Sequence, residues 1–274
     1  MILARFLGLI MRLAPPLKRP LWQTWYDFLA AKNTEAAWTF MNYGFVPLDP
    51  GGHSPLTLLD GDEPERLCIQ LYHHVAGAVD LRGRDVLEVG CGRGGGSRAI
   101  FRYLGPRAVV GVDFSANAIA LCRRHRSRGL AFAAGDAEAL PFAAESFDAV
   151  VNVESSHCYP SMERFLREVR RVLRPGGHFL FADLRGRDAV EVLRGELRTA
   201  GLEVRAERVI TANVVAAMEE DSARKLALIR AKISWPLRGP FQHFAGLKGT
   251  NVYEALRSGQ AQYLSFVCVR SPNA

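Results

Sequence analysis

The stretch that decides the fold runs from Asp85 to Asp113 and has the sequence DVLEVGCGRGGGSRAIFRYLGPRAVVGVD. It begins with an apolar run, Val86 to Val89, and ends with a second apolar run, Val109 to Val112. A glycine cluster and a short helical segment that ends at Gly105 separate the two runs. A strand, a glycine turn, a helix and a second strand form half of a doubly wound nucleotide-binding fold. The stretch therefore predicts an α/β protein with a mostly parallel sheet.

The glycine cluster predicts a ligand that carries adenosine. Glycines let the backbone approach a ligand closely and adopt positive φ, and Asp113 at the end of the second strand can accept hydrogen bonds from a ribose diol. Two patterns fit the cluster. The dinucleotide pattern G-x-G-x-x-G is met by Gly90, Gly92 and Gly95. The pattern E-x-G-x-G-x-G, which is typical of proteins that bind S-adenosyl-L-methionine (SAM), is met by Glu88, Gly90, Gly92 and Gly94. The glycines alone do not decide between the two.

Further strands are predicted downstream. Residues 131–153 (AFAAGDAEALPFAAESFDAVVNV) contain a third strand, Ala131 to Gly135, with Asp136 at its carboxyl end, and a fourth strand, Ala149 to Val153. Residues 163–183 (ERFLREVRRVLRPGGHFLFAD) begin with an amphipathic helix that the PGG turn ends. The remaining strands are predicted at His178–Ala182, Leu202–Ile210 and Tyr263–Arg270.

The phrases GDA, F-D-x-V and L-R-P-G-G, in this order, resemble those of class I SAM-dependent methyltransferases over roughly residues 84–184. A dehydrogenase would more often carry its fingerprint near the start of the chain and is not expected to contain GDAEALPF or LRPGG. The resemblance implies a Rossmann-like, seven-stranded sheet, SAM as the co-substrate and no metal. It also implies a set of residues that bind SAM: Glu88, Gly90, Gly92, Gly94, Asp113, Phe114, Asp136, Ala137, Glu138 and Asn152.

The loop after the fourth strand, NVESSHCYP, resembles that of the phthiotriolone and phenolphthiotriolone dimycocerosate methyltransferases, which methylate a hydroxyl of a long lipid polyketide. The phrase FMNYGF, residues 40–45, is similar in the same group and implies a lid over SAM with Asn42 and Tyr43 as contacts. We therefore divide the chain into an N-terminal helical and lid region, residues 1–75, and a methyltransferase core, residues 76–274. A cap insertion precedes the last strand at about residues 211–262. It is predicted to contain one helix, Asn213–Ile233, followed by aromatic and glycine-rich turns.

The sulfonium of SAM needs no activation, and the enzyme mainly has to position it against the acceptor. If the acceptor is a hydroxyl, a general base must also remove its proton. His157 lies in the loop beyond the fourth strand, where open α/β sheets bind ligands, and histidine is suited to take a proton near neutral pH. Glu154 either orients His157 or shares its work. The alternative is that His157 only shapes the pocket by packing. Tyr72 or His73 is also placed towards the site, because their helix leads into the first strand.

The sequence thus predicts a SAM-dependent O-methyltransferase that acts on a hydroxyl of a polyketide- or lipid-like molecule in natural-product tailoring. One alternative is a C-methyltransferase for a sterol- or prenyl-ring acceptor, in which Glu154 takes the proton or stabilises a cation. Another is a SAM-binding protein without catalysis. Four cap residues are predicted to line an apolar substrate channel or to pack within the cap: Phe241, His243, Phe244 and Tyr253.

Charge and cysteine content bear on the partners and on the location. The 274 residues carry a net charge of +7, and the densest basic group is Arg123, Arg124, Arg126 and Arg128. A solvated helix face explains that group better than nucleic acid does, because no RNA-binding module is recognisable. The five cysteines are dispersed without metal-ligand spacing, which indicates reduced thiols in a cytoplasm. The apolar face of residues 2–13 either lies on a membrane surface or packs on its own domain.

Overall fold

A computed structural model describes residues 39–48 and 56–271 of the chain. These residues form a seven-stranded sheet with the order β3-β2-β1-β4-β5-β7-β6. The strands are β1 (Asp85–Val89), β2 (Ala108–Asp113), β3 (Leu130–Ala134), β4 (Phe147–Val153), β5 (Leu173–Gly186), β6 (Leu202–Val209) and β7 (Ala261–Arg270). Only β7 runs antiparallel to its neighbours, β5 and β6. The predicted doubly wound, mostly parallel sheet is therefore confirmed.

Helices cover both faces of the sheet, which suits the apolar runs of its central strands. They are α1 (Arg66–Ala76), α2 (Gly95–Tyr103), α3 (Ala116–Cys122), α4 (Met162–Val172), α5 (Val190–Thr199), α6 (Thr211–Lys232), α7 (Arg238–Phe244) and α8 (Asn251–Arg257). The sequence predicts an apolar face for α4, and all of its residues are fully buried: Phe165, Leu166, Val169, Val172 and Leu173. The last of them already belongs to β5. This face packs in one cluster with Phe179 and Phe181 of β5. Each such side chain contributes about 1.5–3 kcal/mol of burial free energy.

The fifth strand is longer than predicted at both ends. Helix α4 ends at Val172 because the next residue, Leu173, is already extended (φ −70°, ψ 139°) and pairs with Phe147 of β4. At the other end β5 continues past Ala182 because it pairs with β7 as far as Gly186. The PGG turn therefore lies within the strand, and pairing with distant residues decides where the strand ends.

The insertion before β7 contains three helices where the sequence predicted one helix followed by turns. The predicted helix Asn213–Ile233 corresponds to α6. The prediction that the glycine- and aromatic-rich remainder forms only turns was wrong, since this segment includes α7 and α8. Such short helices are not stable alone, and packing stabilises them. Phe241 of α7, for example, is buried against Ile229 and Ile233 at the end of α6.

The first described residues of the N-terminal region, 39–48, run between α1 and α6; we call them the lid segment. The backbone N–H of Phe45 donates to Leu67 O at 3.0 Å, and Asn213 Nδ2 donates to Val46 O at 2.9 Å. Residues 1–38 lie outside the described residues. The two predictions for residues 2–13, a membrane surface or packing on the domain, therefore stay predictions. The boundary at residues 75/76, which falls at the end of α1, stays a prediction. Within residues 39–48 and 56–271, no helix combines the length and the apolar character that crossing a membrane requires.

Candidate active site

A cleft opens at the carboxyl ends of β1 to β4, under the lid segment, and contains a cavity of about 140 Å³. Open α/β sheets bind their ligands at this end of the strands. Nine of the residues that the sequence assigned to the site line the cleft: Asn42, Gly90, Gly92, Asp113, Phe114, Asp136, Ala137, Glu138 and Glu154. Tyr72 lines it as well, whereas His73 lies in a different cavity. The contacts of these residues with SAM remain predictions.

The turn between β1 and α2 needs glycine for two reasons. Gly90, Gly92 and Gly94 adopt φ values of +75°, +52° and +78°, which side chains disfavour. A Cβ at Gly90 would lie 2.6 Å from the Cβ of Ser155 in the cleft wall, closer than two carbon atoms can approach. Gly94 does not line the cleft. It is the N-cap residue of α2, where its positive φ lets the helix begin.

Backbone donors fix the carboxylate of Asp113 at the cleft wall. Its Oδ2 accepts the N–H of Gly92 at 2.8 Å, and its Oδ1 accepts the N–H of Ser115 at 2.9 Å. These two bonds hold the carboxylate at the carboxyl end of β2, where the sequence pattern places the ribose of the ligand. The ring of Phe114 beside it is 39% exposed, a suitable surface for stacking on adenine.

The turn after β3 forms the neighbouring wall. Asp136 Oδ1 accepts the N–H of Glu138 at 3.0 Å, and Glu138 Oε1 accepts the N–H of Ser161 at 2.8 Å. Because Ser161 caps α4, the turn is tied to that helix. Asp136 is thereby held as an acceptor suited to the adenine amino group.

Glu88 is fully buried behind the cleft wall instead of contacting the cleft. It accepts hydrogen bonds from the hydroxyl of Tyr72, at 2.6 Å, and from that of Ser97. Burial raises the pKa of Glu88 to about 7 against the lowering effect of these bonds. Tyr72 does face the cleft, so Glu88 acts on the site by holding Tyr72.

Asn152 is also buried and outside the cleft wall. Its Nδ2 donates to Val89 O at 2.8 Å and to the Tyr159 hydroxyl at 3.0 Å. That hydroxyl lies 2.7 Å from Ser155 Oγ, and both Ser155 and Tyr159 line the cleft. Asn152 therefore ties β4 to β1 and positions the wall that Ser155 and Tyr159 form.

The lid segment is fastened to the end of β4 by Glu154. Glu154 Oε2 accepts the backbone N–H of Tyr43 at 3.0 Å and the hydroxyl of Tyr263 at 2.9 Å. Glu154 has a positive φ of 52°, an unusual conformation that aims its carboxyl group at the lid segment. Burial raises the pKa of Glu154 to about 7. Tyr43 itself lies behind the cleft wall, where a Cβ at Gly246 of the cap would be 2.7 Å from its ring.

His157 forms a pair with Asp183, a residue that the sequence analysis missed. His157 Nδ1 lies 2.8 Å from Asp183 Oδ1, and the backbone N–H of His157 donates to Oδ2 at 2.9 Å. Ser156 Oγ donates to the same Oδ2 at 2.6 Å, and Arg185 makes an ion pair with it at 3.1 Å. The signal for Asp183 was an acid directly after the predicted fifth strand.

The His157 ring is 31% exposed and does not line the cleft, although Ser155 and Cys158 on either side of it do. Burial by itself lowers the pKa of His157, but Cys158 and the Asp183 carboxylate outweigh it and raise the pKa well above 6.5. Burial opposes the charge of Asp183, yet His157 and Arg185 hold its pKa well below the ordinary value. Each charge thus stabilises the other, and the neutral form of His157, which alone can act as a base, forms at a higher pH than in a free histidine.

The cap aromatics do not line this cleft. Phe241 and Tyr253 are buried, the first in the cap cluster and the second with its hydroxyl donating to Glu219 at 2.5 Å. Phe244 lines a small separate cavity between the lid segment and α6, and His243 is exposed. Of the two predictions for these residues, packing within the cap describes Phe241, which lies in the cap cluster. The apolar substrate channel stays a prediction.

Comparison with known proteins places this cleft in a family. Residues 87–181 match the model of a methyltransferase domain. The chain is 41% identical over 243 residues, 88% of its length and 89% of the relative's, to the phthiotriol/phenolphthiotriol dimycocerosates methyltransferase of Mycobacterium tuberculosis. It is 40% identical over 232 residues, 84% of its length and 83% of the relative's, to the fatty-acid O-methyltransferase of Mycolicibacterium smegmatis.

Solved structures share the fold at lower identity. The geranyl diphosphate C-methyltransferase of Streptomyces coelicolor superimposes with a TM-score of 0.61 at 17% identity, covering 89% of this chain and 98% of that one. The [4+2]-cyclase SpnF superimposes with a TM-score of 0.68 at 20% identity, covering 91% and 94%. Because the chain is similar to the mycobacterial enzymes over most of its length, it belongs to the SAM-dependent methyltransferases. Within them it belongs to the group that includes the phthiotriol/phenolphthiotriol dimycocerosates methyltransferases.

Proposed function

We propose that this methyltransferase transfers the methyl group of SAM to a hydroxyl oxygen of a lipid- or polyketide-like acceptor, with His157 as the general base. The lipid acceptor is supported by the names of the relatives, which act on phthiotriol dimycocerosates and on fatty acids. The observation that carries the oxygen chemistry is the pairing of His157 with the buried carboxylate of Asp183 beside the cleft.

The pair supplies what an alcohol acceptor needs. Because Asp183 binds His157 Nδ1, the nitrogen that takes the proton is Nε2. As the hydroxyl oxygen bonds to the methyl carbon, the carbon–sulfur bond of SAM breaks and S-adenosylhomocysteine leaves. The proton of the hydroxyl passes to His157, and the imidazolium is stabilised by the charge of Asp183. The chain's own part in this reaction is positioning and proton transfer, and neither needs a metal ion.

Dependence on His157 distinguishes a hydroxyl from a carboxyl acceptor. A fatty-acid carboxyl group is already ionised at neutral pH and can attack the methyl group without a base. An alcohol keeps its proton and depends on one. If His157 is the base, its removal slows transfer to alcohols far more than transfer to carboxylates.

A second candidate function is C-methylation with Glu154 as the acid–base group. Glu154, unlike His157, lines the cleft itself, and its pKa of about 7 suits proton transfer near neutral pH. Its Oε2 already accepts two hydrogen bonds, from Tyr43 and Tyr263. We favour the lid-fastening role for Glu154 on that ground. A third candidate, SAM binding without catalysis, predicts no S-adenosylhomocysteine with any acceptor.

The test uses SAM that carries a ¹³C-labelled methyl group and a panel of long-chain alcohols, hydroxylated polyketides, fatty acids and prenyl-chain acceptors. Products are located by mass spectrometry and by the ¹³C chemical shift. We expect the label in a methoxy group of one alcohol or polyketide. Label on carbon would overturn the oxygen assignment and favour Glu154, and label only in methyl esters would overturn the hydroxyl acceptor.

A further inference from the structure

Four charged side chains lie together between α6 and the start of α1, and they have no part in the proposed function. Arg224 Nη1 pairs with Glu65 Oε1 at 3.1 Å, and Arg224 Nε pairs with Asp221 Oδ1 at 2.5 Å. Lys225 Nζ lies 3.5 Å from Asp221 Oδ2. Each side chain is between 6% and 32% exposed, so the two acids and the two bases rely on one another. We call Glu65, Asp221, Arg224 and Lys225 the charge group.

The charge group lies against the lid segment. Residues of both line one small cavity: Glu65, Arg224, Lys225 and residues 40–43. Lys225 Nζ also donates to the backbone oxygen of Asn42 at 3.5 Å. Residues 40–42 line the cleft as well, so this part of the lid segment separates the charge group from the cleft.

The lid segment is held in a narrow space between α1 and α6. A Cβ at Gly44 would lie 3.0 Å from the Cβ of Leu67 in α1 and 3.2 Å from that of Ala217 in α6. The ion pair between Arg224 and Glu65 joins the same two helices, because Glu65 directly precedes α1. The pair therefore holds together the two helices that enclose the lid segment.

The first residues of the lid segment close on the glycine turn. A Cβ at Gly95 would lie 2.7 Å from the backbone oxygen of Thr39. Residues 39–42 also line the cleft in which SAM is expected to bind. A ligand held against the turn is therefore covered on this side by the lid segment, and it leaves more readily when the lid segment is held less firmly.

We propose that the charge group positions the lid segment over SAM, with Glu65 and Lys225 as positioning residues that slow the dissociation of SAM. Glu65 acts through the ion pair that joins α1 to α6, and Lys225 acts through the backbone oxygen of Asn42. The group thus fastens the lid segment to the cap, as Glu154 fastens it to β4. The proposal needs SAM in the cleft, as the proposed function does, but it does not depend on the acceptor or on His157.

Two substitutions each remove one fastening. Glu65→Gln keeps the shape of the side chain and leaves Arg224 with Asp221. Burial already raises the pKa of Glu65, so a neutral side chain suits this position and the variant should fold. Lys225→Met keeps the length of the side chain and also leaves Asp221 with Arg224. Neither variant creates a buried charge without a partner, which is the strongly destabilising case.

The matched control is Glu207→Gln. Arg194 pairs with Glu207 of another element at 2.5 Å and with Glu191, the acid three residues before it. The charge group has the same arrangement and similar exposure, with 32% and 23% for Arg194 and Glu207 against 32% and 18% for Arg224 and Glu65. Because the control residues do not line the cleft, the control loses a similar ion pair away from the lid segment.

The test measures the release of radiolabelled SAM from the full-length protein after a large excess of unlabelled SAM is added. We expect Glu65→Gln and Lys225→Met each to speed release by about three- to five-fold, the upper range for a partly exposed ion pair. The double variant should release SAM about ten-fold faster than the wild type, since the two fastenings act at different points. Lys225→Arg, which keeps the charge, and Glu207→Gln should both stay within about two-fold of the wild type.

Thermal unfolding of the same samples separates a role in the lid from a loss of overall stability. A similar lowering of Tm in Glu65→Gln and Glu207→Gln, with faster release in the first alone, would support the proposal. Wild-type release in the double variant, or equal acceleration in the control, would overturn it. Because release is measured without an acceptor, a protein that behaves as expected here but methylates no alcohol would refute the proposed function alone.

Discussion

Replacement of Asp183 by asparagine tests how His157 is held and charged. The carboxylate accepts four hydrogen bonds, from the His157 ring, the His157 backbone, the Leu184 backbone and Ser156. It also makes an ion pair with Arg185. Asparagine keeps the shape and one oxygen but removes the charge. A hydrogen bond to a charged group contributes about 1.5–3 kcal/mol. If that contribution is made to the imidazolium in the transition state, its loss lowers kcat by roughly ten- to 150-fold.

The pH profile of the variant has a definite sign. In the wild type the charge of Asp183 raises the pKa of His157, and only neutral His157 can act as a base. The wild-type kcat/KM therefore rises with pH and levels off well above pH 6.5, the ordinary pKa of histidine. Without the charge the pKa of His157 falls, so kcat/KM of the variant levels off at a lower pH, although at a lower maximum.

The assay follows S-adenosylhomocysteine release over a range of acceptor concentrations between pH 5.5 and 10, so that kcat and kcat/KM are both obtained. The KM for SAM is measured at each end of the pH range. The control is Ser156→Ala, which removes one hydrogen bond from Asp183 but leaves its charge. We expect the KM for SAM to stay within two-fold in both variants, and the pH profile of the control to match the wild type. A folded Asp183→Asn variant with wild-type kcat and an unshifted profile would refute the reasoning.

Two further predictions separate the cofactor turn from the cap. Gly90→Ala should weaken SAM binding by at least ten-fold in calorimetric titration, because φ is +75° and the new methyl group meets the Cβ of Ser155. Binding within two-fold of the wild type would contradict the role of that turn. Phe241→Ala should lower the free energy of unfolding by about 3–5 kcal/mol, measured by urea denaturation, because a fully buried ring is lost. Since Phe241 packs within the cap, the SAM affinity of the folded variant should be unchanged, and a selective loss of binding at normal stability would show that it lines the site after all.

The parts of the fold that were predicted from the sequence are those with local causes. The apolar runs of β1 and β2, and the glycine turn between them, depend on residues close together in the chain. The ends of β5 depend on its pairing with β4 and β7, which no local pattern contains. Helices α7 and α8 were likewise missed because packing against the rest of the cap, rather than helix propensity, stabilises them.

The site shows the same division. The motif pointed to Asp113 and Asp136, which follow parallel strands and line the cleft. It also pointed to Glu88 and Asn152, but a motif does not show which way a side chain in a strand faces. Both are buried and hold the wall residues Tyr72 and Tyr159. Asp183 was missed because only the three-dimensional fold brings the end of β5 beside the loop after β4.

The most direct measurement of the central claim is the single-turnover rate of His157→Ala with a long-chain alcohol that the wild type methylates. The dissociation constant for SAM is determined on the same samples. The account predicts a rate at least a hundred-fold lower at pH 8 with SAM affinity within two-fold of the wild type, because a general base contributes roughly 10²–10⁴-fold. A His157→Ala variant that methylates the alcohol at the wild-type rate would contradict the claim that His157 is the base.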